Sequence, residues 1–278
     1  MPRHLLTALS VFLTLGLLAG CKPKTASEEA APAAAEAAAA EVQPASPPGA
    51  AKPRTSGPPS VPPDAKAGPL DLSKIGPHQE AYAHESLSPD EWASVALMYQ
   101  AKGQFGEALA TLDQAIARYP DDAHLLAVRG ALWLQLEEYT KALADLERSL
   151  EAAEDPGVRV NYAEALRRFG RNEEALESLD KALELTPDYL PALFNRGVLR
   201  YEMGDEEGAL ADFDRAIEID PTAAAPYFNR AAIHWALGQR EEAIADLDAF
   251  IERTTVEDWK QTAEDLRTSW LEQMEANP

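Results

Sequence analysis

The chain has 278 residues and a formal net charge of −22, from 47 acidic against 25 basic side chains. Residues 89–278 alone hold 39 acidic and 18 basic groups, or −21. That argues against nucleic acid as a partner, since such binding rests on neutralising phosphates, and against adsorption of this part to an anionic membrane. The single cysteine, Cys21, excludes an intramolecular disulfide.

Arg3 and His4 precede an uncharged, largely apolar run from Leu5 to Gly20. The run is shorter than the roughly 20 residues that span a bilayer as a helix, and it has the layout of a secretory signal. It ends Leu18-Ala19-Gly20-Cys21, which resembles the lipobox of bacterial lipoproteins. The resemblance implies cleavage before Cys21, a diacylglycerol on its thiol and acylation of its freed amine; more than one acyl chain gives stable anchoring. An ordinary signal peptide with a coincidental cysteine and an uncleaved anchor are the alternatives. Lys22, by the sorting rule of such lipoproteins, favours the outer membrane facing the periplasm. The membrane is then expected to be met through the lipid only.

Residues 22 to about 80 are rich in Ala, Pro, Glu, Lys and Ser, with few large apolar side chains. Such a segment cannot bury enough surface to offset its chain entropy. The expected organisation is a signal peptide at 1–20 and a disordered tether at 21–80 carrying Cys21, either a spacer or an unselected linker. His78 and His84 lack further ligands nearby for a metal.

From residue 89 the chain repeats itself. The small residues Ala108, Ala142, Ala175, Ala209 and Ala243 recur at spacings of 34, 33, 34 and 34. Gly103, Gly170, Gly204 and Gly238 stand five residues earlier, with Glu137 in that place in the second copy. Ala115, Ser149, Ala182, Ala216 and Phe250 stand seven residues later, and Pro120, Pro187 and Pro221 twelve later. Trp92 and Tyr99 open the first copy, and Gly130 and Gly197 are small residues in the first half of theirs. This pattern resembles the tetratricopeptide repeat (TPR) family over residues 89 to about 254. The resemblance implies an all-α solenoid of about five helix-turn-helix repeats (89–122, 123–155, 156–189, 190–223 and 224–254) within a domain at 81–254. No single unit can bury its apolar face alone, so neighbours must stack.

Ser88-Pro-Asp-Glu91 predicts a capping box with Pro at the first helical position. Thr254-Thr-Val-Glu257 predicts a second, opening a capping helix at 255–278 with Trp259, Ala263, Leu266, Trp270 and Met274 on one stripe. Numbered within the repeat from Pro89, Ala123, Pro156, Leu190 and Ala224, place 7 is Val, Arg, Tyr, Arg, Arg and place 23 is Thr, Asp, Ser, Asp, Asp. Asp stands at place 23 whenever Arg stands at place 7. The two places oppose each other in an antiparallel pair, so structural ion pairs Arg129–Asp145, Arg196–Asp212 and Arg230–Asp246 are expected.

The resemblance also implies that first helices line a concave groove. Asn161, Asn195 and Asn229 share place 6 and resemble the asparagine ladder by which some TPR proteins hold a peptide backbone; a carboxamide both donates and accepts. Phe194 and Phe228 at place 5, with Tyr201 and Trp235 at place 12, are candidate anchors; packing of the solenoid and cover by a terminus are the alternatives for them. Arg167 and Arg168 are the main groove cations, in one unit only, so recognition of an acidic C-terminus is not favoured. Asp113 and Glu177, on second helices, are expected to lie outside the groove.

No nucleophile motif, phosphate loop, cofactor motif or metal-ligand cluster is found, and His234 reads as a packed histidine. A non-enzymatic envelope scaffold or adaptor is expected, binding a protein or peptide partner; proteins it resembles recruit cell-wall hydrolases, assist outer-membrane assembly or act as pilotins. A spacer with an unused groove is the alternative.

Overall fold

The computed structural model describes residues 87–276. The expected signal peptide at 1–20, the lipid anchor Cys21 and the tether at 21–80 lie outside the described residues. Within them are eleven helices and no strand: α1 (Pro89–Ala101), α2 (Phe105–Arg118), α3 (Ala123–Gln135), α4 (Tyr139–Ala152), α5 (Pro156–Arg168), α6 (Asn172–Leu185), α7 (Leu190–Met203), α8 (Glu206–Ile219), α9 (Ala224–Ala236), α10 (Arg240–Arg253) and α11 (Glu257–Ala276). Every first helix begins at place 1 and every second helix at place 17.

Local chemistry sets these boundaries. Ser88 caps α1 in the expected box: its backbone N–H donates to Glu91 Oε2 at 2.8 Å, and the Glu91 N–H donates back to Ser88 Oγ at 3.4 Å. Asp122 and Asp155 cap α3 and α5 by accepting from Leu125 and Val158. Pro120 lies in the link before α3 rather than in it, whereas the one-residue-shorter second unit brings Pro156 into the first turn of α5. At the turn between the two helices of each unit the backbone passes through the left-handed region, at Gly103, Gly170, Gly204 and Gly238 with φ of 69–86°. Glu137 holds φ 61° in the second unit, a conformation that strains a residue bearing a Cβ.

Packing follows the small residues. Ala108, Ala142, Ala175, Ala209 and Ala243 are fully buried. Place 8 of each first helix meets place 24 of its second helix. A Cβ added to Gly130 would stand 2.7 Å from Leu146 Cγ, and one added to Gly197 would stand 2.9 Å from Phe213 Cε1. The two helices therefore approach as closely as a hydrogen on Cα allows.

Adjacent units are stacked through buried clusters that cross their junctions, such as Leu112, Leu125 and Leu126 between the first and second units. First helices of successive units touch one another (α1 with α3, α3 with α5, α5 with α7, α7 with α9), and second helices make no comparable contact. The array is therefore tighter on the side of the first helices, which form its inner face.

α11 packs on α10 and closes the stack, with Ala263 and Trp270 buried and Trp259 and Leu266 half-buried against the last cluster. The expected capping box at its start is not formed. Thr254 already serves as the C-cap of α10 and its hydroxyl accepts from the Val256 N–H at 3.4 Å, so α11 starts three residues later at Glu257.

Candidate binding face

The three expected Arg–Asp pairs are formed, each bidentate. Arg129 Nε and Nη2 donate to Asp145 at 2.7 Å each, Arg196 Nε and Nη2 to Asp212 at 3.0 and 2.6 Å, and Arg230 Nε and Nη2 to Asp246 at 2.8 and 2.6 Å. The three aspartates are buried. Each arginine has a further partner that the sequence reading missed. Its Nη1 donates to the place-25 aspartate of the preceding unit: Asp113 at 2.7 Å, Asp180 at 2.7 Å and Asp214 at 2.6 Å. These arginines therefore clamp one unit to the next, and the hydrogen bonds to Asp246 and then Asp214 hold the Arg230 guanidinium above its usual range, against the opposing effect of burial. Asp113 is thus not an idle outward charge. Glu177 is one only in part, since it pairs with Lys181.

The residues proposed for the groove fare unequally. Phe228 is 2% exposed and packs on Phe250 at 5.1 Å between ring centroids, and Asn229 is 6% exposed and donates to its own helix at Ala225 O. Trp235 lies stacked on Trp270 of α11, 4.3 Å apart and 3° from parallel. In the fifth unit the first helix is therefore consumed by packing and by the terminal helix, and these three residues are not open groove positions. Phe194 is half-buried and turns its ring to Phe213 at 5.9 Å.

What remains on the inner face belongs to the third and fourth units. Asn161, Asn195 and Tyr201 are partly exposed. The Asn195 amide donates to Pro191 O at 2.7 Å, one turn back on its own helix. Beside them the side chain of Arg167 is largely covered, within 3.7 Å of both Glu164 and Glu202, and its Nη1 has no hydrogen-bond partner. Burial pushes the Glu202 carboxyl above the usual carboxylate range, with Arg167 pulling the other way. Arg168 donates to Glu164 at 2.9 Å and lies over the Tyr139 ring. The two arginines are thus balanced by carboxylates of the protein itself. His234 sits between Gln239, 2.6 Å from Nδ1, and Asp246, and so is packed as expected. Among the described residues no three His, Cys, Asp or Glu side chains are grouped to hold a metal ion.

Family models described as tetratricopeptide repeat match residues 96–158, 161–226 and 224–254. The chain belongs to the tetratricopeptide repeat family. A TPR repeat-containing protein, MJ1345 of Methanocaldococcus jannaschii, is 46% identical over 66 residues, which are 24% of this chain and 21% of that protein. The match thus spans about a fifth of that relative. Among solved structures, the type IV pilus biogenesis factor PilW is 20% identical with a TM-score of 0.57, over 68% of this chain and 93% of PilW. YrrB, described as a TPR protein with an unusual peptide-binding site, is 22% identical with a TM-score of 0.52, over 68% of this chain and 98% of YrrB. These two show the fold. A TPR solenoid is a scaffold for protein or peptide binding.

Proposed function

We propose that this chain is a lipid-anchored adaptor of the bacterial envelope that holds a segment of a partner protein on the inner face of its third and fourth units. The observation that carries the site is the difference between units. In the fifth, α11 and the core take the inner-face residues; in the third and fourth, Asn161, Asn195 and Tyr201 stay partly open, with Glu164 and Glu202 beside them. The anchoring rests on Leu18-Ala19-Gly20-Cys21. The name of PilW lends support to a role at an envelope assembly.

Changing Cys21 to Ser is expected to move the protein from the membrane to the soluble periplasmic fraction; retention on membranes after a high-salt wash would end the anchoring reading. For the groove, a photo-crosslinker at Asn161 in living cells is expected to capture one defined partner, and Asn195→Ala with Tyr201→Ala is expected to weaken that capture. A spacer with an unused groove is the second reading, favoured by the Asn195 amide bonding to its own helix. It predicts no specific adduct from Asn161.

A further inference from the structure

Place 14, the last residue before the left-handed turn, carries Lys102, Leu136, Phe169, Met203 and Leu237 in the five units. Leu136 packs into the first core cluster. Phe169, Met203 and Leu237 do not: they are 49%, 41% and 46% exposed, in three successive units. Nothing in the packing of a helix pair requires a large apolar side chain there, and exposing a row of them costs solubility.

Place 18, the second residue of the second helix and four residues on from place 14, is Glu173, Glu207 and Glu241 in those same three units, and Gly106 and Thr140 in the first two. All three glutamates are exposed, and none has an ion-pair partner among the described residues. A carboxylate in the first turn of a helix is favoured by the helix dipole, but the dipole acts alike on α4, whose first turn has no acidic residue, and on α2, where the carboxylate is Glu107 at place 19 instead. The two features therefore occur together, in units three to five and nowhere else.

We infer that the turn edge of units three to five is a second interaction surface, distinct from the inner face, and that it takes a basic amphipathic segment of a partner protein. The apolar side of that segment would cover Phe169, Met203 and Leu237, and its Lys or Arg residues would meet the row of carboxylates. Charge selects this occupant: the turns also carry Arg171, already paired with Glu174, and Arg240, but carboxylates outnumber these cations. A second copy of the chain would bring the same carboxylates against each other, and like charges across an interface are disfavoured. An anionic bilayer is repelled for the same reason.

The probe is a fluorescent, helix-forming Leu/Lys peptide with leucines on one face, titrated by anisotropy against the full chain. Binding is expected to weaken at least tenfold in Phe169→Ser/Met203→Ser/Leu237→Ser. It is also expected to weaken in Glu173→Gln/Glu207→Gln/Glu241→Gln and with rising salt, and to be unchanged in the inner-face variant Tyr201→Ala. The matching Leu/Glu peptide is not expected to bind. A serine variant that binds within threefold of the parent, or a Leu/Glu peptide that binds as well, would overturn the inference. So would serine-sensitive binding to phosphatidylglycerol vesicles, which would make the edge a membrane surface, or serine-sensitive dimerisation in sedimentation, which would make it a contact between copies.

Discussion

Asp246 and Asp212 are both buried, but their surroundings differ in a way that mutation can read. Arg230 holds Asp246, with His234 Nε2 at 3.7 Å, whereas Asp212 accepts from Arg196 and also from Arg200 Nη1 at 2.8 Å. Removing one partner of a buried pair leaves an uncompensated charge and costs about 3–5 kcal/mol. Arg230→Ala is expected to approach that cost in urea unfolding, while Arg196→Ala, with Arg200 still on Asp212, should cost clearly less. The charge pairs are also replaceable: copying the Val95 and Thr111 pair of the first unit, as Arg129→Val with Asp145→Thr, should recover most of the loss of Arg129→Val alone. A different outcome is expected at Glu202. Burial raises its carboxyl, so the folded chain holds the proton more tightly than the unfolded chain, and the stability linked to that proton is complete below the unfolded value of about 4.3. It is lost as pH rises through the folded value. Glu202→Gln should therefore raise the melting temperature at pH 7 and leave it nearly unchanged at pH 4. The within-unit Arg–Asp pairs were legible in the sequence because the two residues come and go together. Their third partners were not, because place 25 is acidic in every unit, Glu147 and Asp248 included, and so co-varies with nothing.

In each unit the turn and the close helix contact do the shaping. Glu137 occupies a left-handed turn that the other four units give to glycine, so Glu137→Gly should stabilise the chain by about 1 kcal/mol. Gly197 is the opposite case. A Cβ there would press on the Phe213 ring, which is fully buried and cannot swing away. Gly197→Ala should therefore destabilise by about 1–3 kcal/mol from overpacking, less the better helix propensity of alanine, about 1 kcal/mol. Both effects are checked by the same denaturation midpoints. The helix pairs and their capping were legible because a 34-residue period repeats each constraint five times. The start of α11 was not, since Thr254-Thr-Val-Glu257 has the letters of a capping box but Thr254 is already occupied in ending α10. The fate of Phe228 and Trp235 was hidden for a related reason. The stripe on α11 was visible, but what it lies against depends on how a single, non-repeating helix docks, and no period reports that.

Across the whole array each unit meets only its neighbours, so stability is close to a sum of unit and junction contributions, and an end unit depends on its cap. At the C-terminal end that cap is α11, whose Trp270 is buried against Trp235 and whose Arg267 bonds to Asp248, at the place-25 position that the arginine of a following unit would otherwise clamp. α11 thus supplies both the apolar and the ionic half of a missing sixth junction. Trp270→Ala, which empties a large buried site, should cost about 3–5 kcal/mol. The loss should be local: hydrogen exchange is expected to quicken in α9 to α11 and to stay near the parent rate in α1 to α6. Ending the chain at Thr254 should do the same and, in addition, uncover Trp235 and its neighbours, giving increased binding of an apolar dye. If exchange instead rose evenly from α1 to α11, the chain would unfold as one cooperative body, and the reading of α11 as a local cap would fail.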